Sequence, residues 1–409
     1  MSSPQVWNHR IAALALGLGL GLSAIITPCW WSIVRDHSPS CSIYKPDFIS
    51  LYSGAKLMVT DPASLYDLER QRLVQQPIDP SRGDWVLPFF YPPFFAVLLT
   101  PLAWLPFSTA FIAMTVVNLV LLIAAVKILI DKLALNRQQS NWLWLSTFCN
   151  YGVYYGLLEA QTSFLALMLL VLFVTGLLGT APSRPGIWSG LMFFKPPLAL
   201  VPLLVLLCKT KWRELLSAVL VIAFFSLVSL MVVGSEGIAG YLALSRRAAA
   251  GDEFLHIQPE GMHNLRALAY FFFATPWRDY IWWAAAVAAL ALIVVRGRSN
   301  DRGGTPIAAW VNILFALILV APHLHSHDLA LLVVPAALLL KWAGESVSPV
   351  VSLTIVALGM LSLINTVAYP HLPPLLPLAL VIFLIVDLRH ASPERRRVAL
   401  GWVKRQGGE

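Results

Sequence analysis

The chain has 409 residues, a net charge of +8, 58% hydrophobic and only 12% charged residues, with a mean hydropathy of +0.72. A soluble domain carries about a quarter charged residues, so a soluble enzyme is excluded and a polytopic membrane protein is expected, with about ten to thirteen spans at ~20 apolar residues each. The positive charge does not point to nucleic acid, because Lys and Arg gather at loop ends and in the C-terminal tail, as topogenic charge does.

The first apolar run, 11–34, follows Arg10 and is too long for the core of a signal peptide, so it reads as an uncleaved anchor. The loop 35–90 holds seven of the 21 acidic residues and is where chemistry is expected. Within it, Asp47 is flanked by Tyr44, Lys45, Phe48 and Tyr52 and precedes a helical-looking run, 48–60, so helix capping and catalysis compete as explanations. Asp61-Pro62 marks a turn and a helix restart. The segment Pro88-Phe89-Phe90-Tyr91-Pro92-Pro93-Phe94-Phe95 is aromatic and broken by proline; it fits an interfacial aromatic belt or a groove for an isoprenoid chain.

Apolar runs follow at 90–107, 109–130, 141–158, 161–180, 186–208, 213–234, 278–296, 305–321, 328–342, 348–369 and 372–388, giving about twelve helices with the first. Two are interrupted. Glu159-Ala160-Gln161 divides a long hydrophobic stretch, and Lys195-Pro196-Pro197 lies inside 186–208. A lysine at membrane depth costs roughly 2.5–3.5 kcal/mol on insertion scales, so Lys195 must face a polar cavity or an anion, for which a phosphate is a natural partner. Pro322-His323-Leu324-His325-Ser326-His327-Asp328 ends a span. Its alternating histidines suit substrate or phosphate contact, a structural role or metal, but no second cluster completes a closed zinc set. The four cysteines show no ligand spacing, which leaves a Cys29–Cys41 bridge on the outer face open.

Orientation follows from the basic residues. The tail carries Arg389, Arg395, Arg396, Arg397, Lys404 and Arg405, so the C-terminus is expected inside. Alternation then places Arg296/Arg298/Arg302, Lys209/Lys211/Arg213 and Arg10 inside as well, and 35–90, 235–277 and 321–328 outside. Seven of the nine histidines (37, 256, 263, 323, 325, 327 and 371) fall on that outer side. One pair disagrees: Lys132 and Arg137 land outside if 90–107 and 109–130 both cross. A re-entrant or surface-lying 90–107 repairs this only if another segment is also miscounted. There is no nucleotide-binding Gly-rich loop, so an outward-facing enzyme needs a donor already in the membrane.

In order, these elements resemble glycosyltransferase family 87, multipass GT-C enzymes that include polyprenyl-phosphate-mannose-dependent mannosyltransferases, over about residues 43–340. Asp47, Phe48 and Tyr52 look like the family's first-loop Asp-Phe-x-x-x-Tyr, and Leu65-Tyr66-Asp67 like the Leu/Pro-Tyr-Asp after it. Phe90-Tyr91-Pro92-Pro93-Phe94 through Pro101-Leu102-Ala103 is similar to its Tyr-Pro-Pro-Phe…Pro-Leu-Ala, and Gly190-Leu191 through Lys195-Pro196 to its Lys-Pro span. The segment from Asn264 to Leu268 is similar to its Asn-rich outer segment, and His323 to Asp328 resembles its Pro-His…His. The family often has Gly-Gln where this chain has Ala160-Gln161, and the triple histidine is richer than the pattern, so acceptor choice stays open.

The resemblance implies one all-α GT-C-like membrane domain, 1–390, with a large first outer loop and a basic cytoplasmic tail, 391–409. It implies a plasma-membrane (inner-membrane) enzyme that moves a hexose, mannose first among them, from a polyprenyl phosphate to a glycolipid or glycan acceptor at the outer face. Asp47 is the implied general base. Lys195, Arg266, His263, His323, His325 and His327 are implied at the donor phosphate, and Tyr52, Tyr91, Phe94, Phe95, Gln161 and Asn264 along the lipid and acceptor groove. No cofactor and no metal is implied. A transporter or flippase of a polyprenyl-linked sugar is the alternative, with Lys195 and Glu159 as intramembrane substrate residues. The acid-rich outer loop, and the absence of repeated halves in the sequence, suit an enzyme better.

Overall fold

In hydrocarbon a chain must satisfy its backbone donors and acceptors internally, and the apolar runs do so as helices. The computed structural model describes residues 4–35, 46–80, 83–179, 184–250, 259–299, 306–368 and 371–390. Lys45, Tyr44, His37, His256, Cys41 and the tail 391–409 lie outside the described residues. Among those described, the chain is all-helical: α1 Pro4–Arg35, α2 Phe48–Thr60, α3 Leu68–Gln75, α4 Pro93–Ala103, α5 Phe107–Lys132, α6 Arg137–Phe148, α7 Tyr151–Leu158, α8 Ser163–Leu177, α9 Pro185–Leu191, α10 Pro196–Cys208, α11 Trp212–Ala250, α12 Leu265–Phe272, α13 Trp277–Ser299, α14 Pro306–Val320, α15 Val333–Trp342, α16 Pro349–Ala368 and α17 Leu375–His390. Stretches of α1, α5, α11 and α13 are long and apolar enough to cross a membrane, and six further helices are apolar but shorter.

Several of the predicted runs are not single helices of membrane length: 141–158 is divided between α6 and α7 at Cys149-Asn150, and two others bear on the topology. The run 90–107 yields only α4, 11 residues long. Both its flanks touch α2: before α4 the Ser50 hydroxyl donates to the Pro88 carbonyl (2.8 Å), and after it the Tyr52 hydroxyl donates to the Leu105 carbonyl (2.8 Å) and Phe107 packs on Phe48 and Tyr52. The run 186–208 is cut at Lys195, whose φ of −121° and ψ of 82° are non-helical. Pro196 explains the break, since proline drives the residue before it out of the helical region and supplies no amide donor. At one end of this run the Gly186 amide donates to the Glu214 carboxylate (2.8 Å), and a Cβ on Gly186 would collide with the Glu214 carbonyl, so α9 and the start of α11 meet backbone to backbone. At the other end α10 stops at Cys208, just short of Trp212. Both ends therefore lie at the N-terminus of α11, and the run is a hairpin with Lys195 at its apex.

These two features resolve the charge conflict. Asn8 donates to the Val347 carbonyl (2.9 Å) and accepts from Ser352 (3.0 Å). Gln139 donates to the carbonyls of Leu340 and Gly344 (2.8 and 2.7 Å), Asn136 to that of Glu345 (2.9 Å), and Lys341 to that of Ala134 (3.3 Å). The start of α1, the 132–139 turn and the 340–352 turn thus share one end of the bundle. Lys132 and Arg137 sit with Asn8 and not across from it, because α4 does not cross and the Lys195 hairpin absorbs the second parity change.

At the other end, α7 packs against a 3-10 turn, Ser326–Leu332. Gly152 permits this: a Cβ there would lie 2.7 Å from the Ser326 carbonyl oxygen and 2.8 Å from the Ala330 amide nitrogen. Cys29 is disulfide-bonded, whereas Cys149 and Cys208 are buried cysteines outside any disulfide.

Candidate active site

Four chain segments converge at the end opposite Asn8: the start of α2, the α7–α8 turn, the hairpin apex and the 3-10 turn 326–332. Asp47 occupies the N-cap position of α2 with helical φ and ψ, yet its side chain makes no capping hydrogen bond. Its amide N–H donates instead to Glu159 Oε2 at 2.6 Å. From the same turn, Gln161 Nε2 lies 3.4 Å from Asp47 Oδ2. Gln161 is itself held, its carbonyl accepting from Asn118 of α5 (2.8 Å) and its side-chain oxygen from the Tyr91 hydroxyl (3.1 Å). Tyr91 also meets Thr162 at 2.9 Å.

The hairpin apex brings in the cation. Lys195 Nζ donates to Asp328 Oδ1 at 2.6 Å; Asp328 is buried and the Lys195 side chain is 14% exposed. Ser163 donates to the same oxygen (2.7 Å), and His327 Nε2 lies 3.5 Å from Oδ2. A buried ammonium is tolerable only when paired and hydrogen-bonded, so Asp328 accounts for the lysine at this depth. Beside the apex, Phe194 stacks on Phe95 (4.9 Å) and on Tyr91 (6.3 Å).

The histidine run continues from Asp328. The rings of His325 and His327 stack at 5.8 Å, and His327 stacks on Tyr155 at 6.4 Å. His263 Nε2 meets the Ser326 hydroxyl at 2.9 Å. Burial, reinforced by neighbouring positive groups, lowers His263 and His323 from 6.5 to about 4 and His325 to about 3, so these rings are neutral near pH 7. No group of three or more His, Cys, Asp or Glu among the described residues is arranged to hold a metal ion.

The remaining predicted residues lie further out or are engaged by the fold. Arg266 is buried, donates to the Ala249 carbonyl (3.2 Å), and lies over the rings of Tyr270 and Trp282 (5.2 and 5.3 Å). It reaches the histidine run through His323. Asn264 caps α12 by accepting from the Ala267 amide (3.0 Å) and donates to the Ala321 carbonyl (2.6 Å). The Tyr52 hydroxyl is bound to Leu105, and Phe94 packs on Phe225 of α11 (4.6 Å), away from the apex.

Asp328 was not among the residues the sequence assigned to the site, and Glu159 was named only under the transporter alternative. Their signal was present: a carboxyl at the only polar break between α7 and α8, and one directly after the histidine run. The site lies deep. From Lys132 to Asn118 along α5, and along the lengths of α8 and α10, the helical rise gives roughly 20 Å between it and the Asn8 end.

A family model described as glycosyltransferase family 87 matches residues 89–322, more than half of the chain. Neither a comparison with curated proteins nor one with solved structures gave a match. The matched stretch takes in Tyr91, Gln161, Lys195 and Arg266 and ends one residue before His323, so Asp47 and Asp328 join the site through the fold. With its bundle of apolar helices, the chain belongs to glycosyltransferase family 87 and is a membrane glycosyltransferase.

Proposed function

We propose that the protein transfers a hexose, mannose first among candidates, from a polyprenyl phosphate to a hydroxyl of a glycolipid or glycan acceptor, with inversion at the anomeric carbon. The observation that carries this reading is the meeting of Asp47, Gln161 and Tyr91 with the Lys195–Asp328 pair at a buried, aromatic-lined place. Asp47 takes the proton of the acceptor hydroxyl as its oxygen attacks the anomeric carbon. The bond from that carbon to the phosphate oxygen breaks, and the lipid phosphate leaves with the electron pair. A positioned base contributes about 10²–10⁴-fold, and a preorganised donor to the leaving oxygen about 10²–10³-fold.

Lys195 is the donor to that phosphate, trading part of its contact with Asp328 for the ligand. His323, His325, His327, His263 and Arg266 extend the polar wall beyond it. The neutral imidazoles of His263, His323 and His325 serve there as hydrogen-bonding groups rather than as cations. Tyr91, Phe95 and Phe194 offer the apolar side along which a prenyl chain lies.

Orientation follows from the basic residues at the Asn8 end. Lys132, Arg137 and Lys341 join Arg10 and the 209–213 cluster there, and retention of Lys and Arg in the cytoplasm places that end inside the plasma membrane. The site then lies about 20 Å up a hydrocarbon core ~30 Å thick, opening outward at a depth that a lipid-borne donor reaches along the bilayer. Incubating the protein in nanodiscs with labelled polyprenyl-phosphate mannose, glucose or galactose and extracted membrane acceptors tests this, with the product anomer read by NMR. Transfer of one hexose with inverted configuration is expected. Transfer from a nucleotide sugar alone, or retained configuration, would contradict it.

A further inference from the structure

The α7–α8 turn deepens this reading, and rests on it. Glu159 is fully buried, and its Oε2 accepts the Asp47 amide N–H at 2.6 Å. Its other oxygen, Oε1, is buried with no hydrogen-bond partner among the described residues. Glu159 is the C-cap residue of α7 through its backbone N–H, but its side chain makes no ion pair and no capping bond to its own helix among the described residues. A buried carboxyl kept in such a place costs free energy, so its single contact is informative.

The turn that carries it is also unusual. Ala160 is fully buried and has a φ of +45°, a left-handed conformation that L residues other than Asn and Asp rarely adopt. That kink lets Glu159 and Gln161, on either side of it, both address Asp47: one at its backbone nitrogen, the other at its carboxylate (3.4 Å). Two contacts on one residue, one before and one beyond Cα, fix its position and its rotation together.

We infer that Glu159 is a positioning residue for the Asp47 carboxylate, and that 159–161 is a two-point clamp that orients Asp47 at the start of α2. A first-turn amide needs an acceptor. A capping Asp47 side chain would turn toward the Ile49 and Ser50 amides, which here are served by the Pro46 and Asp47 carbonyls (3.5 and 2.9 Å). With Glu159 serving the amide, the carboxylate faces Gln161 and the Lys195 apex. The role needs an acceptor oxygen at position 159 and not a negative charge.

The test compares Glu159→Gln, Glu159→Ala, Asp47→Asn and the double variant Asp47→Asn/Glu159→Ala in nanodiscs, reading kcat, donor KM, the pH profile and the melting temperature. Glu159→Gln keeps the acceptor and should retain kcat within about threefold, with an unchanged pH profile. Glu159→Ala should lower kcat about 30-fold with donor KM unmoved, since misplacement by an ångström costs about that order or more. The double variant should be no slower than Asp47→Asn, as for residues acting as one unit. A tenfold or larger loss in folded Glu159→Gln would overturn the inference whether or not Glu159→Ala folds, because charge would then be the requirement. So would wild-type kcat in Glu159→Ala, or an additive double variant. Activity persisting in Asp47→Asn would remove the base reading and the clamp with it; inactive Asp47→Asn beside active Glu159→Ala would remove the clamp alone.

Discussion

The starts of α2 and α3 differ in what their aspartates do. Asp67 accepts from the Glu69 and Arg70 amides (2.8 and 3.1 Å) and caps α3 as a surface aspartate should. Asp47 stands at the same position of α2, makes no such bond, and has its amide served by a carboxyl from another helix. One carboxylate is absorbed by its own secondary structure; the other is held away from it. A third, Asp328, is absorbed differently, by an ammonium, a hydroxyl and an imidazole. Catalysis at Asp47 is the proposed reason that its side chain leaves the first turn of α2 uncapped.

Acid should separate these commitments most strongly. His263, His323 and His325 titrate at about 4, 4 and 3 when folded and at 6.5 when not. Between those values the unfolded chain binds more protons, so stability is fully present above 6.5 and is lost as pH falls toward 4. The melting temperature in detergent should be flat near neutrality and fall through that window; a flat profile down to pH 4 would mean that the rings are not held neutral by the fold.

Lys195→Met should come next, at about 3–5 kcal/mol of destabilisation, because it strands a buried carboxylate. Lys195→Met/Asp328→Leu should recover most of that stability in thermal melts without recovering transfer. Asp67→Ala should cost about 1 kcal/mol through its lost cap and leave kcat at wild type. Loss of kcat beyond its loss of folded protein would erase the contrast with Asp47. Smallest is Ala160→Gly, which relieves a positive φ and should alter stability by less than about 1 kcal/mol, the relief being offset by the entropy of glycine in the unfolded chain.

Much of this site was legible before the structure. Lys195 stood out because an apolar helix does not carry a lysine without a partner, and Asp47 because it followed a membrane-length run into the acidic loop. The partner itself was not legible: Asp328 lies 133 residues from Lys195, and nothing local announces the pairing. Helix parity was misread for a related reason. Hydropathy registers burial, and a hairpin or a surface-lying helix buries apolar residues as a crossing helix does. Pro196-Pro197 after Lys195, and the prolines around α4, were the local signs of broken helices. Tyr52 and Asn264 were expected along the groove, but their hydrogen bonds go to the backbone at Leu105 and Ala321. Sequence spacing does not distinguish a polar side chain that serves a ligand from one that serves the fold. The Gly-Gln pattern of the family makes physical sense at Ala160-Gln161, since the first position needs the left-handed region.

The central claim is that Asp47 acts on the acceptor and not on the fold or on the donor. Measuring hexose transfer, donor affinity and melting temperature for Asp47→Asn beside the wild type, in the same nanodiscs, addresses it most directly. The account predicts transfer lowered about 10²–10⁴-fold, with donor Kd and melting temperature unchanged. Transfer near the wild-type rate, or a loss that tracks weakened donor binding or unfolding, would contradict it.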